Sequence, residues 1–181
     1  SGITTPQDFV GKSIRVAGDQ KIVLTTMMSR LGISQDQYKE VNLPSDVELF
    51  ASGEVPIWGA YINTLALEVQ HAGYEINIIY PDDYGVHSYG DTIHTTDDLI
   101  NSNPDLAQRF LNASLKGWSY AVENPEKVGE LIVHYDPEAD VELENAKMVA
   151  SLPLIYTGVD EVGWMAPEIW SSMERAMYAQ N

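Results

Sequence analysis

The strongest constraint on the fold is an alternation of short apolar runs and helical patterns across the first 80 residues. The predicted strand–helix pairs are 13–17 with the helix around 24–31, 38–43 with 45–52, and 55–61 with 63–72. A further β-rich run, 76–80, is predicted to be the last strand of the same sheet. Strands alternating with helices of this length predict an α/β protein with a mainly parallel sheet and right-handed crossovers.

The helix after the first strand has the clearest periodicity. Its apolar residues fall at i, i+3, i+4 and i+7, namely Leu24, Met27, Met28 and Leu31. Gly32 follows as a stop signal. This spacing indicates a helix that packs one face on a sheet.

A turn-rich segment follows the last predicted strand. It contains Pro81 and two glycines, Gly85 and Gly90, before an alternating run at 91–95 that we predict to be a strand. Segments of this kind often carry a chain between two α/β lobes, and ligands tend to bind at such junctions. Because an isolated strand is not stable, 91–95 must join the first sheet or pair with sequence absent here.

The second half of the chain has the start signals and apolar spacing of helices. Three Asn/Asp-Pro pairs, at 103–104, 124–125 and 136–137, are each predicted to open a helix. Further helices are predicted at 125–134, 141–151 and 167–179. In the longest helix an apolar stripe predicts burial: Ala107, Leu111, Leu115, Trp118 and Val122.

Charge and composition exclude several classes of partner. Twenty-seven acidic residues against ten basic ones give a net charge of -17, which disfavours nucleic acid and anionic membrane surfaces. The absence of cysteine removes disulfides, thiolate nucleophiles and cysteine zinc sites. No apolar run approaches the ~20 residues of a membrane span.

The common catalytic signatures are also missing. The sequence contains no phosphate-binding glycine loop, no HExxH and no GxSxG, and its four histidines are scattered singly. The adjacent acids Asp82 and Asp83 follow a proline and are better explained as solvated or capping residues. We therefore predict no catalysed reaction, no bound metal and no cofactor.

Five residues are candidate ligand contacts. Asp19 and Gln20 occupy the turn after the first strand, where backbone N–H groups at the sheet's carboxyl edge can hold a polar ligand group. Tyr61, Tyr84 and Tyr89 are predicted at or near the crossing, and such rings suit a flat heterocycle. The alternative, that these tyrosines pack the hinge, is equally compatible with the sequence.

Residues 2–16, GITTPQDFVGKSIRV, resemble the opening "GI-x-x-P-x-D-L-x-G-K-x-I-x-V" of the second lobe in ABC-transporter substrate-binding proteins of the NMT1/THI5-like group. The resemblance continues in order and spacing over nearly the whole chain. Its further motifs lie at 83–86, 89–91, 103–105, 109–118, 120–126, 150–154 and 163–165.

The resemblance implies a periplasmic-binding-protein-like fold of two lobes. Residues 1–85 would form the α/β domain of the second lobe, and 86–181 the crossing strand and helices of an incomplete first lobe. It further implies an extracytoplasmic protein, periplasmic or lipid-anchored, that delivers a small molecule to an ABC permease. The implied ligand is a thiamine-pyrimidine precursor, with flavins and sulfonates as alternatives.

Two departures from the group affect this interpretation. Relatives often carry V-D-A at the third strand and N-E-P in the next helix, where this chain has 55–57, VPI, and 64–66, TLA, so ligand identity is open. The group also has an opening segment before the GI-x-x-P motif. We therefore expect a fragment or a remodelled relative that associates with a second copy or with the missing segment.

Two other functions compete with transport. The same fold could serve as the sensory domain of a membrane receptor, which a downstream kinase or cyclase domain would indicate. A yeast branch of the group synthesises the thiamine pyrimidine with a cysteine-rich iron-binding motif. The cysteine-free sequence lacks that motif, so the activity of this branch is not expected.

Overall fold

The computed structural model describes residues 2–18, 20–156 and 160–178, which form two compact units. Unit 1 contains the described residues of 2–88 and 166–178, and unit 2 those of 89–165. The last helix therefore packs in unit 1. The lobe assignment of the resemblance, 1–85 and 86–181, stays a prediction.

A small parallel sheet organises unit 1. Its strands are β1 (Ser13–Arg15), β2 (Lys39–Val41) and β3 (Ile57–Trp58), in the order β2-β1-β3. Ile14 of the central strand is in register with Glu40 on one side and Ile57 on the other. This arrangement confirms the predicted α/β class with parallel strands.

The helices follow the predicted order closely. They are α1 (Gln20–Arg30), α2 (Val47–Ala51), α3 (Leu67–His71), α4 (Asp97–Ser102), α5 (Pro104–Glu123), α6 (Val128–Tyr135), α7 (Val141–Ile155) and α8 (Pro167–Tyr178). Short 3-10 turns cover Pro6–Phe9, Gln35–Gln37, Pro81–Tyr84 and Pro125–Lys127, and a π-helical turn at Ile62–Ala66 precedes α3. None of the described helices is long and apolar enough to span a lipid bilayer.

The core of unit 1 lies where α1 packs on the sheet. Leu24, Met27 and Met28 are buried on one face of the helix, and the partly buried Leu31 packs beside them. Ile14 of β1 is almost fully buried in the same cluster. The helix ends at Arg30, and Gly32 in the turn that follows has a φ of 72°, which glycine adopts at little cost. The spacing in the sequence therefore predicted this face correctly.

Two predicted strands are not strands. The run 76–80 belongs to no sheet, and the Asn77 side chain donates a 2.9 Å hydrogen bond to the Ile3 carbonyl. The run 91–95 lies in unit 2, where none of the described residues forms a strand. β-rich composition describes a residue's preference, whereas a strand exists only if a neighbouring strand accepts and donates its backbone hydrogen bonds.

The helix predicted at Asp136-Pro137 is also wrong, because this pair opens a turn. The Asp136 carboxylate accepts from the Glu138 backbone N–H at 3.2 Å, and the Asp136 carbonyl accepts from Ala139. Helix α7 starts later, with the Asp140 carboxylate accepting from the Leu143 N–H at 2.9 Å. The Asn103 side chain caps α5 in the same way, as its sequence predicted.

Helix α5 is not the buried helix that its apolar stripe predicted. Phe110 is 61% exposed, Trp118 is 47% exposed, and no residue of α5 is buried. Among the described residues of unit 2, only Gly129, Met148 and Ser151 are buried. Periodicity identifies the apolar face of a helix, but burial requires another surface against that face.

Candidate ligand-binding site

The carboxyl edge of the sheet brings three loops of unit 1 together. After β1 the chain turns through Gly18 (φ 58°) into Gln20, the first residue of α1. After β3 it continues through Gly59, whose N–H donates a 2.7 Å hydrogen bond to the Arg15 carbonyl. Carboxyl edges of parallel sheets are where α/β folds place their ligands.

Arg15, the last residue of β1, joins these loops. Its side chain is buried, with only 7% of the residue exposed. Nε donates to the Leu43 carbonyl at 2.9 Å, and Nη1 donates to the Gly59 carbonyl at 3.1 Å and to Gln20 Oε1 at 3.4 Å. The guanidinium also lies over the Trp58 ring, 5.6 Å from its centroid. No carboxylate among the described residues forms an ion pair with it.

A cavity of about 330 Å³ opens beside the ends of β1 and β2. Its lining consists of Val16, Ala17, Gly18, Lys21, Glu40, Val41 and Asn42. Lys21 Nζ lies 2.8 Å from Glu40 Oε2, and this hydrogen bond and the charge of Glu40 raise the pKa of Lys21. The cavity thus offers a paired cation and anion beside backbone groups, at the lower end of the usual volume for small-molecule sites.

Tyr61 lies two residues beyond Gly59, on the loop that leaves β3. Its carbonyl accepts from both the N–H and the hydroxyl of Thr64, each at 3.2 Å, which fixes the start of the π-helical turn. The residue is 44% exposed. Almost half of Tyr61 is therefore open to solvent on the loop that follows β3.

Tyr84 lies at the opposite end of α1 from Gln20. It is partly buried against the core of unit 1, and the adjacent Gly85 carbonyl accepts a hydrogen bond from Arg30, the last residue of α1. Eleven helical residues span about 15 Å. The structure therefore does not bring Tyr84 to the edge that holds Gln20 and Tyr61.

Two predicted contacts remain, Tyr89 and Asp19. Tyr89 is the first residue of unit 2 and is half-buried. Asp19 lies outside the described residues. Of the five candidates, the structure brings Gln20 and Tyr61 to one edge of the sheet, and the ligand contacts of all five stay predictions.

The Arg15 network was not predicted from the sequence. Its signal was a charged residue in an otherwise apolar strand, SIRVA, where a buried cation needs several acceptors. Asp82, which was predicted to be a solvated or capping residue, pairs through its carboxylate with Nδ1 of His87 on the surface of unit 1. Across the described residues, no group of three or more His, Asp or Glu side chains could hold a metal ion.

Unit 2 has an open cavity of its own, of about 450 Å³, between α5, α6 and α7. Glu144 and Lys147 line it and form a 2.9 Å ion pair. The other lining residues are Ser114, Gly117, Trp118, Ala121, Val128, Ile132, Met148 and Ser151. The mainly apolar lining resembles an incompletely covered core more than a polar binding site.

Comparison with known families identifies the group. A family model described as "NMT1/THI5 like" matches residues 1–128. The chain belongs to the NMT1/THI5-like family. This NMT1/THI5-like match includes all of β1, β2 and β3, and therefore the whole carboxyl edge described above.

Three curated relatives are similar to this NMT1/THI5-like chain. The formylaminopyrimidine-binding protein of Halalkalibacterium halodurans is 25% identical over 144 residues, 77% of this chain and 44% of the relative. The riboflavin-binding protein RibY of Chloroflexus aurantiacus is 27% identical, over 70% of this chain and 37% of the relative. The 4-amino-5-hydroxymethyl-2-methylpyrimidine phosphate synthase of Legionella pneumophila is 27% identical, over 84% and 50%. The chain spans about half the length, or less, of the relatives that it matches.

Proposed function

We propose that this chain is part of an extracytoplasmic solute-binding protein that delivers a small heterocycle to an ABC importer. Its membership of the NMT1/THI5-like family carries this proposal, together with the two relatives named as binding proteins. The accessible carboxyl edge of a parallel sheet provides a suitable surface. A periplasmic or lipid-anchored location and an ABC permease partner belong to the same proposal.

The proposed ligand is a thiamine-pyrimidine precursor or a related flat heterocycle. Tyr61 would stack on the ring, and Gln20 would hydrogen-bond its polar edge, because both lie at the carboxyl edge of the sheet. Contacts from Asp19, Tyr84 and Tyr89 are part of the prediction from the sequence. The relatives that bind a formylaminopyrimidine and riboflavin support a heterocyclic ligand.

Synthesis of the pyrimidine is the second candidate, because one relative is named as a pyrimidine phosphate synthase. We propose binding without turnover, since the chain has no cysteine with which to form the cysteine-rich iron motif of the enzymatic branch. Incubation with candidate substrates should yield no product in chromatography. Stoichiometric iron in the purified protein, or steady product formation, would contradict the proposal.

A sensory role in a receptor is the third candidate. The full open reading frame and its neighbouring genes distinguish it from transport. A flanking permease and ATPase would support import, whereas an appended kinase or cyclase domain would support sensing.

Two tyrosine variants test the binding site. We expect Tyr61→Ala to weaken binding by about 0.5–1.5 kcal/mol beyond the lost area, the range for an aromatic pair, with little effect on the thermal midpoint. Tyr84→Ala is the matched control, because its partly buried ring packs against the core, and it should lower the midpoint more than the affinity. Calorimetric titration with riboflavin and with 4-amino-5-hydroxymethyl-2-methylpyrimidine, beside thermal melts, measures both.

Each outcome has a defined meaning. Weaker binding by Tyr84→Ala with an unchanged thermal midpoint would support Tyr84 as a ligand contact, as the sequence predicted. Unaltered affinity in Tyr61→Ala would show that Tyr61 does not contact the ligand. No heat of binding with either probe in the parent protein would argue against a pyrimidine or flavin ligand.

A further inference from the structure

Arg15 has an unusual combination of burial, charge and partners. It is the one charged residue among the buried residues that the structure describes. Among the described residues its three hydrogen-bond acceptors are neutral oxygens: the carbonyls of Leu43 and Gly59 and the side-chain amide of Gln20. Removing a guanidinium from water is costly, and the described residues around Arg15 compensate this cost with neutral acceptors.

The acceptors come from three different β/α connections. Gln20 begins α1 after β1, Leu43 lies in the loop after β2, and Gly59 directly follows β3. One planar group therefore contacts every connection that leaves the carboxyl edge of the three-stranded sheet. The fork of N–H groups on arginine can satisfy acceptors in several fixed directions at once, which the single ammonium of lysine cannot reproduce.

The contacts with Gly59 are reciprocal. The Arg15 guanidinium donates to the Gly59 carbonyl, and the Gly59 N–H donates to the Arg15 carbonyl. A Cβ at Gly59 would lie 3.1 Å from Gln20 Oε1, so this close approach favours glycine. The Trp58 ring covers the guanidinium, and its Nε1–H donates a 2.7 Å hydrogen bond to the Val55 carbonyl. The contacts with Gly59 and Trp58 therefore fix the guanidinium itself as well as the loops that it contacts.

We infer that Arg15 is a positioning residue, which fixes the three loops in the arrangement that the ligand requires. The inference rests on the function proposed above. Arg15 acts through Gln20 and through the backbone at Leu43 and Gly59, and it needs no contact with the ligand. Preorganised loops lose less conformational entropy on binding, so the fixed arrangement increases affinity.

The test uses Arg15→Lys, which keeps the positive charge and removes the fork. The matched control is Ile14→Val, which removes one methylene from the same strand without changing any acceptor of the guanidinium. Hydrogen–deuterium exchange of the ligand-free chain should become faster at 16–22, 42–46 and 59–63 in Arg15→Lys. The control should show no such increase confined to these three loops.

Affinity provides the second measurement. Well below both thermal midpoints, Arg15→Lys should bind riboflavin or 4-amino-5-hydroxymethyl-2-methylpyrimidine about tenfold or more weakly, because loops that the guanidinium no longer fixes must be ordered when the ligand binds. Ile14→Val should bind like the parent chain. A residue with only a structural role would change affinity and midpoint in parallel in both variants.

The outcomes separate this inference from the function on which it rests. Unchanged exchange in the three loops, or an affinity loss matched by Ile14→Val, overturns the role of Arg15 even if the chain binds a probe. If the parent chain binds neither probe, the proposed ligand class is contradicted, and the exchange data still decide whether Arg15 positions the loops.

Discussion

Replacing Met28 with alanine is expected to lower the free energy of unfolding by about 2–5 kcal/mol, the range for truncating a buried methionine. Met28 has none of its surface exposed and lies in the core cluster between α1 and the sheet. Its carbonyl accepts hydrogen bonds from Leu31 at 3.1 Å and Ile33 at 2.9 Å. Alanine preserves these backbone bonds, so the effect reports the loss of side-chain packing.

Met28→Leu is the matched control, because a volume-conserving apolar change in a core usually costs less than about 1.5 kcal/mol. Urea denaturation followed by far-UV circular dichroism and tryptophan fluorescence measures both variants. The first turn of α1 carries Gln20, a proposed ligand contact. Met28→Ala should therefore also weaken ligand binding near the denaturation midpoint of the variant, where α1 begins to unfold. A loss of stability below about 1 kcal/mol would mean that the core does not depend on this face of α1.

The chain is expected to self-associate through the apolar surface of α5. Phe110 and Trp118 expose much of their surface, and the described part of unit 2 buries little apolar surface of its own. Exposed apolar patches of this kind mark surfaces that bind another protein surface. A stable interface buries roughly 1,200 Å² or more in total, which demands several such residues.

Sedimentation velocity over a range of protein concentrations tests this prediction. The paired substitution Phe110→Ser and Trp118→Ser should shift the chain towards monomer and reduce its binding of an apolar fluorescent dye. Tyr74→Ser, a comparably exposed aromatic residue in unit 1, serves as the control and should leave association unchanged. A monomeric parent chain at high concentration with little dye binding would contradict the prediction.

The candidate site was predictable only in part. Gln20 and Tyr61 could be placed at one edge because both lie in connections that follow strands of a parallel sheet, and strand order brings these connections together. Arg15 was missed because two of its three hydrogen-bond partners lie 28 and 44 residues away in the chain, and no local pattern specifies them. Tyr84 was predicted near the crossing because it follows the run 76–80, which was predicted to be the last strand, so its position depends on where the chain runs after 80.

The sequence by itself determined the order of strands and helices in the first 72 residues, the buried face of α1 and the turn at Gly32 that follows this helix. It also determined the family, since the motifs are read directly from residue order. These features depend on local periodicity, backbone preferences and motif spacing. Only the tertiary structure decided that 76–80 and 91–95 are not strands, that α5 is exposed, and that Arg15 joins three loops. The reason is the same in each case: strand pairing, burial and side-chain hydrogen bonds require a partner that is distant in the sequence, and a residue's own type does not specify that partner.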